Sequence, residues 1–329
     1  MAHITFIALP RCLMSGIVFS IDTFSIANRW ADPKSLNVGA PLFRWDVATL
    51  DGRPVAGEGR VLLQPNCSIH EITRTDFIFL PGMLLPLSVK SDLPDGLIEW
   101  LWRQRRNNTM IGSSCTGTFL LAEAGLLDGK AATTNWAFTR RFKKSYPNVR
   151  LQADRILTED DGILCAGATT SIIDLCLYLI KKFGSEELAA VCSKVLLMSP
   201  VRRSQTPFEI FNYRKNHSDE AVLKAQERME MKYAGSITVD GLASDSGVST
   251  RHFIRRFKAA TGDSPLQYLQ RIRVEIAKSR LEKTRESVEE ITLKVGYENA
   301  NSFRKLFKKN TGLSPREYRM QFGGTRMTP

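Results

Sequence analysis

The chain has 329 residues, 43% of them hydrophobic, which is enough to pack the cores of two domains. Its formal net charge is +12, and residues 221–329, with 21 Lys+Arg against 12 Asp+Glu, hold +9 of it, so a polyanion partner is expected there. Six dispersed cysteines without a CxxC pair, only four histidines, and no apolar run near the roughly 20 residues that span a bilayer argue against a disulfide scaffold, a zinc module and a membrane protein.

The expectation is therefore a cytoplasmic chain with no metal and no cofactor. From the N-terminus, Ile4-Thr5-Phe6-Ile7-Ala8-Leu9 reads as a buried strand closed by Pro10, and Gly16 to Trp30 as a helix with Asp22 near its start. Arg44 to Leu50 alternates into the Asp51-Gly52 turn, and Phe77 to Leu80 is a short apolar strand ended by Pro81-Gly82. Asp95 to Arg106 is a helix with Leu97, Ile98, Leu101 and Trp102 on its apolar side. Met110 to Ser113 is another strand, followed at once by Cys115-Thr116-Gly117-Thr118 and an apolar helix up to Ala124. Gly125 and Asp128-Gly129 end that unit, and Ala131 to Thr134 leads into Asn135-Trp136. Ile156 to Ala166, broken at Asp160-Asp161-Gly162, is a hairpin, and Thr170 to Phe183 is a strongly apolar helix. Short strands alternating with helices give a parallel sheet covered on both faces, an α/β fold.

The junction Ser114-Cys115-Thr116-Gly117 joins a strand directly to a helix. A side chain in so sharp a turn is pushed into a strained, exposed position, and the helix N-terminus behind it favours negative charge. For Cys115 this predicts a lowered thiol pKa and a sulfur that touches ligand; a packed core cysteine is the plain alternative.

Residues 1–200 resemble the class I glutamine amidotransferase-like superfamily in its ThiJ/PfpI branch. The resemblance rests on Leu80-Pro81-Gly82, Ser114-Cys115-Thr116-Gly117, Leu120 through Gly129, Ala132-Thr133-Thr134-Asn135-Trp136 and Ala166 through Ser171. It implies a flavodoxin-like parallel sheet sandwich. It also implies a nucleophile at Cys115, oxyanion-binding amides at Gly82 and Met83, and an acidic partner at Asp22. Where the family commonly has Thr-His-Trp, this chain has Thr134-Asn135-Trp136, and no histidine occurs between His70 and His217. Asparagine cannot take up the proton that a Cys–His relay must move. The expectation is a pocket that binds a small metabolite without turnover, formed by Asp22, Gly82, Met83, Cys115, Thr116, Asn135, Trp136 and Thr169, with no catalytic residue. A bare dimerisation scaffold and a cysteine-dependent hydrolase or hydratase are the alternatives.

Residues 201–217, polar and basic with Arg202-Arg203 and Pro207, have linker composition, and Ser218-Asp219-Glu220 starts a fresh helix. Beyond it the chain says the same thing twice. Val239, Leu242 and Gly247 recur as Val288, Ile291 and Gly296 at an offset of 49. Phe253, Phe257, Gly262, Pro265 and Tyr268 recur as Phe303, Phe307, Gly312, Pro315 and Tyr318 at an offset of 50. Each copy reads as a short helix, a glycine turn, and a second helix whose two phenylalanines, four apart, share the core side. Ser249 can cap the first copy's second helix, and Ser264-Pro265 starts a helix that would hold the two copies at a set distance. The face opposite the phenylalanines shows Arg251, His252 and Arg255 in one copy and Ala300, Asn301 and Arg304 in the other. Arginine pairs with guanine and asparagine with adenine in a major groove.

Val222 to Phe322 thus resembles the DNA-binding domain of the AraC/XylS family, carried by Glu290-Ile291 to Tyr297, Ser302-Phe303-Arg304 to Lys308, and Gly312-Leu313-Ser314-Pro315 to Arg319. The expected organisation is an amidotransferase-like sensing and dimerisation domain (1–200), a linker (201–217), and an all-α domain with two helix-turn-helix units (218–325). The expected DNA contacts are Ser249, Arg251, His252, Arg255, Ala300, Asn301, Ser302, Arg304 and Lys308, with Lys309 on phosphate. The resemblance implies a transcription regulator, an activator acting with RNA polymerase, as a homodimer that responds to an amino acid or quaternary amine. A purely architectural DNA-binding protein would need no effector.

Overall fold

Every residue of strand β1 (Ala2–Ile7) is buried, as a strand covered on both faces requires. The computed structural model describes residues 1–31, 41–84, 95–198 and 204–324, and the chain divides into two compact units after Gln205. In the first unit β1 is followed by β2 (Phe43–Thr49), the short pair β3 (Val55–Ala56) and β4 (Leu62–Leu63), β5 (Cys67–Ser68), β6 (Phe77–Leu80) and β7 (Met110–Ser114). Then come β8 (Ala131–Ala132), β9 (Arg150–Leu151), β10 (Leu157–Asp160) and β11 (Ile163–Ala166). Seven of these make one sheet in the order β10-β11-β7-β6-β1-β2-β5, parallel throughout except for the β10–β11 hairpin.

Among the described residues six α-helices accompany the strands: α1 (Ser15–Ala31), α2 (Leu97–Arg106), α3 (Gly117–Glu123), α4 (Thr139–Ser145), α5 (Ile172–Phe183) and α6 (Glu186–Val195). Strand alternation shows that helices lie on both faces. A Cβ at Gly112 of β7 would meet Leu175 of α5, whereas its neighbour Ser113 bonds Thr118 of α3 at 3.1 Å. The expected α/β sandwich is therefore present. The β3–β4 and β8–β9 pairs, α4 and α6 carry no period long enough to have marked them in sequence.

The second unit is helical: α7 (Glu220–Lys232), α8 (Val239–Asp245), α9 (Thr250–Thr261), α10 (Pro265–Lys283), α11 (Val288–Lys294), α12 (Ala300–Thr311) and α13 (Pro315–Phe322). Its caps are those the repeat requires. Ser264, Ser287 and Ser314 form capping boxes with Gln267, Glu290 and Glu317, and Gly262 and Gly312 end the second helix of each copy in the left-handed region. One lobe packs Phe253 and Phe257 against Leu242, Tyr268 and Ile272; the other packs Phe303 and Phe307 against Ile291, Leu281 and Tyr318. The single helix α10 supplies both, and Ile276 touches each core.

One expectation needs correction. Residues 201–203 of the expected linker lie outside the described residues, but 204–217 are not free chain. Gln205 is 2% exposed inside the first unit, and Pro207 and Phe211 are buried in the second. A polar, proline-containing stretch looks like linker, yet one well-placed ring or amide is enough to seat it.

The two turn glycines differ in a way that can be measured. Gly247 (φ +63) has open space where a Cβ would go, whereas at Gly296 (φ +82) that Cβ would lie 2.5 Å from the Ala234 carbonyl oxygen. Gly247→Ala should cost about 1–2 kcal/mol for left-handed strain alone, and Gly296→Ala distinctly more, because backbone must move. Urea unfolding followed by far-ultraviolet circular dichroism reads this. Tryptophan fluorescence, whose five sources all lie in residues 1–205, should not change. Equal losses in the two variants would contradict the close approach.

Candidate DNA-reading helices and the cysteine elbow

In each lobe the two buried phenylalanines set the helical phase. At about 3.6 residues per turn, the direction opposite them falls on 251 and 255 in α9 and on 301 and 305 in α12. Arg251, His252 and Arg255 are exposed there, as are Asn301, Ser302, Lys308 and Lys309; Ala300, the first residue of α12, is half-buried. Ser249 caps α9, its hydroxyl accepting from the His252 N–H at 3.4 Å. Arg256, in contrast, is turned aside into a two-pronged bond with Asp219 at 2.9 and 2.7 Å. That bond holds the Asp219 carboxyl below its ordinary pKa.

The position equivalent to Arg255 is Lys305, which is exposed and was not among the expected contacts. The offset of 50 that pairs the phenylalanines would have found it. Arg304 instead matches Ile254 on the flank of the reading face. Its guanidinium bonds Glu289 of α11 and the Asn301 side chain (3.0 Å). In the first lobe Asp240, the counterpart of Glu289, bonds Thr250 at 2.6 Å. An acid on the first helix of each pair thus meets the start or flank of the second.

In the first unit Cys115 has φ 52, the left-handed strain expected of a strand-to-helix elbow. Close packing enforces it. A Cβ on Gly117 would lie 2.7 Å from the Leu80 and Pro81 carbonyls, and one on Gly82 3.3 Å from the Cys115 side chain. Thr116 ties the elbow to the Pro-Gly turn: its hydroxyl donates to the Met83 carbonyl (2.6 Å) and accepts the Met83 N–H (2.7 Å). The amide expected to hold an oxyanion at Met83 is therefore already engaged. The Cys115 N–H is engaged too, on the Ala166 carbonyl at 2.7 Å.

The predicted thiol shift has the opposite sign. Cys115 is buried, and desolvation pushes its thiol above the ordinary value, with hydrogen bonds from Thr116 opposing. Burial outweighs the turn's geometry and the short helix behind it.

The loop after β8 lies against the elbow, because the buried Thr134 hydroxyl donates to the Cys115 carbonyl at 2.7 Å. Asn135 uses its side-chain oxygen locally, accepting the Ala137 N–H at 3.0 Å. Trp136 is half-buried and donates its N–H to Gln205 (3.2 Å), and Thr169 is half-buried at the start of the turn leading into α5. Asp22 does not join them. It is exposed on α1, whose inward residues are Gly16, Ile17, Ser20, Thr23, Phe24 and Ala27, so helical phase turns it outward. Gln205, which sequence gave no reason to single out, is the addition. Its amide nitrogen meets the Thr133 hydroxyl (3.2 Å) and the Thr134 and Arg155 carbonyls (both 2.9 Å), in space that Gly167 leaves open.

No histidine is placed at the elbow within this unit. His3 bonds Asp46 (2.8 Å) at the N-terminal end of β1, the far end of the sheet from Cys115. His70 is exposed beyond β5, the edge strand four places from β7, or about 19 Å away at the usual strand spacing. Among the described residues, no group of three or more His, Cys, Asp or Glu could hold a metal ion, and no helix is long and apolar enough to cross a membrane.

Comparison with known proteins agrees with this division. Residues 39–182 match the DJ-1/PfpI family, and residues 242–321 match the family described as a helix-turn-helix domain. The HTH-type transcriptional regulator CdhR of Pseudomonas aeruginosa is 28% identical over 315 residues, covering 95% of this chain and 90% of the relative. The HTH-type transcriptional regulator GbdR of the same species is 24% identical over 317 residues, covering 96% and 83%. The crystal structure of Drosophila melanogaster DJ-1beta superposes with a TM-score of 0.51 at 18% identity, over 60% of this chain and 98% of that one, a likeness of fold.

The elbow yields a direct test. A thiol raised above 9.0 stays protonated in the folded state, so its stabilising contribution is complete below that pH and is lost as pH climbs past it. Iodoacetamide should modify the Cys115 peptide of the native protein slowly at neutral pH and faster only as the solution becomes alkaline. Mass spectrometry of that peptide gives the profile, and modification faster than free cysteine at neutral pH would overturn the assignment.

Proposed function

We infer that this chain, a DJ-1/PfpI-type domain followed by an AraC-type helix-turn-helix domain, is a DNA-binding transcription regulator whose first unit senses a small metabolite. One observation carries the reading: two like helices, α9 and α12, each turn a row of basic or amide side chains outward from a buried phenylalanine pair. The unit that holds them carries most of the chain's net positive charge. The similarity to CdhR and GbdR, both described as transcriptional regulators, runs along nearly the whole chain and supports it.

Base recognition falls to Arg251, Arg255, Asn301 and Lys305, with His252, Ser302 and Arg304 flanking and Lys308 and Lys309 on phosphate. The metabolite binds against Cys115, Thr116 and the Thr134–Trp136 loop, where the half-buried Trp136 offers an aromatic face to a quaternary ammonium or an amino acid's amine. The site binds rather than turns over. Among the described residues no histidine lies beside Cys115, burial keeps its thiol protonated, and the Met83 amide is occupied. The left-handed backbone at Cys115 is the one feature that favours a cysteine-dependent hydrolase or hydratase, and turnover abolished by Cys115→Ala would establish that instead. Activation through RNA polymerase, a homodimer and a cytoplasmic site complete the proposal.

Two experiments test it on the full chain. Duplexes selected from a random pool should bind with a sequence preference. Arg255→Ala and Lys305→Ala should each lose about 1–3 kcal/mol and relax preference in separate halves of the footprint. Lys309→Ala should weaken all sequences alike and reduce the salt slope by about one. In a thermal-shift screen of amino acids, polyamines and quaternary amines, a stabilising compound should lose its effect in Trp136→Ala. Variants that all weaken every sequence equally would leave only non-specific binding.

A further inference from the structure

Residues 206–214, which have the composition of a linker, run across both lobes of the second unit. At one end the turn Thr206–Phe208 packs on the second lobe: the Thr206 Cβ lies 3.9 Å from the Cβ position of Gly312, and Phe208 meets Phe322 edge-on at 5.3 Å. In the middle the chain lies on α10. The buried Lys278 ammonium donates to the Glu209 carbonyl and to Glu275 (3.1 Å) and sits 5.8 Å from the Tyr318 ring. Glu275 in turn accepts the Phe211 N–H at 3.4 Å. At the other end Phe211 packs on Tyr268 of the first lobe (5.1 Å) beneath the Arg271 guanidinium (5.0 Å), and Arg214 bonds the Thr261 carbonyl.

The lobes themselves leave a cleft of about 300 Å³ where they face each other, with Asp263 and Gln267 on one side and Leu306, Lys309 and Asn310 on the other. Direct lobe-to-lobe packing therefore leaves this cleft open. The connections between the lobes include α10, whose 19 residues span about 28 Å, the close approach of the Ala234 carbonyl to Gly296, and this strap. A single helix can bend, whereas a helix closed by a second tether cannot bend without unseating it. Phe211 and Lys278 are the seats, one apolar and one a buried charge that needs its partners.

We propose that the strap 206–214, seated by Phe211 and Lys278, is a spacing determinant: it sets the separation of the two reading helices and so decides which distance between contacted base steps the protein accepts. This rests on the assignment of α9 and α12 as DNA-reading helices. One inserted base pair moves the far contact by about 3.4 Å and turns it by about 35°. A rigid pair of heads loses the contacts of one head, whereas a loosened pair follows the DNA.

The test uses the full chain and a duplex selected by it from a random pool, together with the same duplex carrying one base pair inserted or deleted between its two protected halves. Wild type should prefer the original spacing by about tenfold or more, the cost of one head's base contacts. Phe211→Ala and Lys278→Met should keep their affinity for the original within about threefold, while the preference falls below about threefold. The ratio is the informative quantity, because partial unfolding lowers both affinities by the same factor and leaves it unchanged. If circular dichroism shows either variant unfolded, Phe211→Leu, which keeps the apolar volume but not the ring, replaces it. Variants that keep the wild-type ratio overturn the strap's role while leaving the regulator reading intact. A pool that yields no sequence preference overturns that reading and the spacing role with it.

Discussion

Two phenylalanines four residues apart on a helix can be buried together in only one orientation, and the working surface of the second unit depends on that. Once Phe253 with Phe257, and Phe303 with Phe307, are sealed in their lobes, positions 251, 255, 301 and 305 must face outward. The burial of four aromatic rings, each contributing on the order of a few kcal/mol, overrides any preference of the exposed side chains. These are left free to vary with the DNA to be read. The same constraint explains why Lys305 faces away from the buried rings and Arg304 lies to its side.

The first unit holds its elbow by packing rather than by a charge or a base. Strain at Cys115 is held by contacts with no slack, at Gly117 against two carbonyls and at Gly82 against the cysteine itself. Around that elbow the polar groups are directed inward: Thr116 to Met83, Thr134 to Cys115, Asn135 to its own turn. Hydrogen bonds from Thr116 favour the Cys115 thiolate, but desolvation outweighs them, and among the described residues no histidine stands at the elbow to act as base. What remains is a strained loop cluster whose hydrogen bonds are mutually dependent, a suitable arrangement for registering whether a small molecule is present.

Between the units the chain is more economical than its composition suggests. Gln205 ends the first unit with its amide inside the Thr133–Trp136 loop, and Thr206 begins the strap that braces the two lobes. Gln205, bonded to the loop that touches Cys115, and Thr206, the first residue of the strap, are joined by one peptide bond.

Sequence by itself determined the division into an α/β unit and a duplicated helical unit, the positions of β1, β2, β6, β7 and the β10–β11 hairpin, and the caps at Ser249 and Ser264. These features are local. A period, a glycine at a positive φ, or a serine followed by proline is decided by residues within a turn of one another. It also exposed the missing histidine, since an absence needs no coordinates. Only the tertiary structure decided what depends on distant partners: that burial outweighs the helix terminus at Cys115, that Asp22 faces away, that Met83's amide is already taken, and that residues 204–214 are packed. Each of these turns on which group, many residues away, supplies or withholds contact, and one chain's spacing carries no record of that.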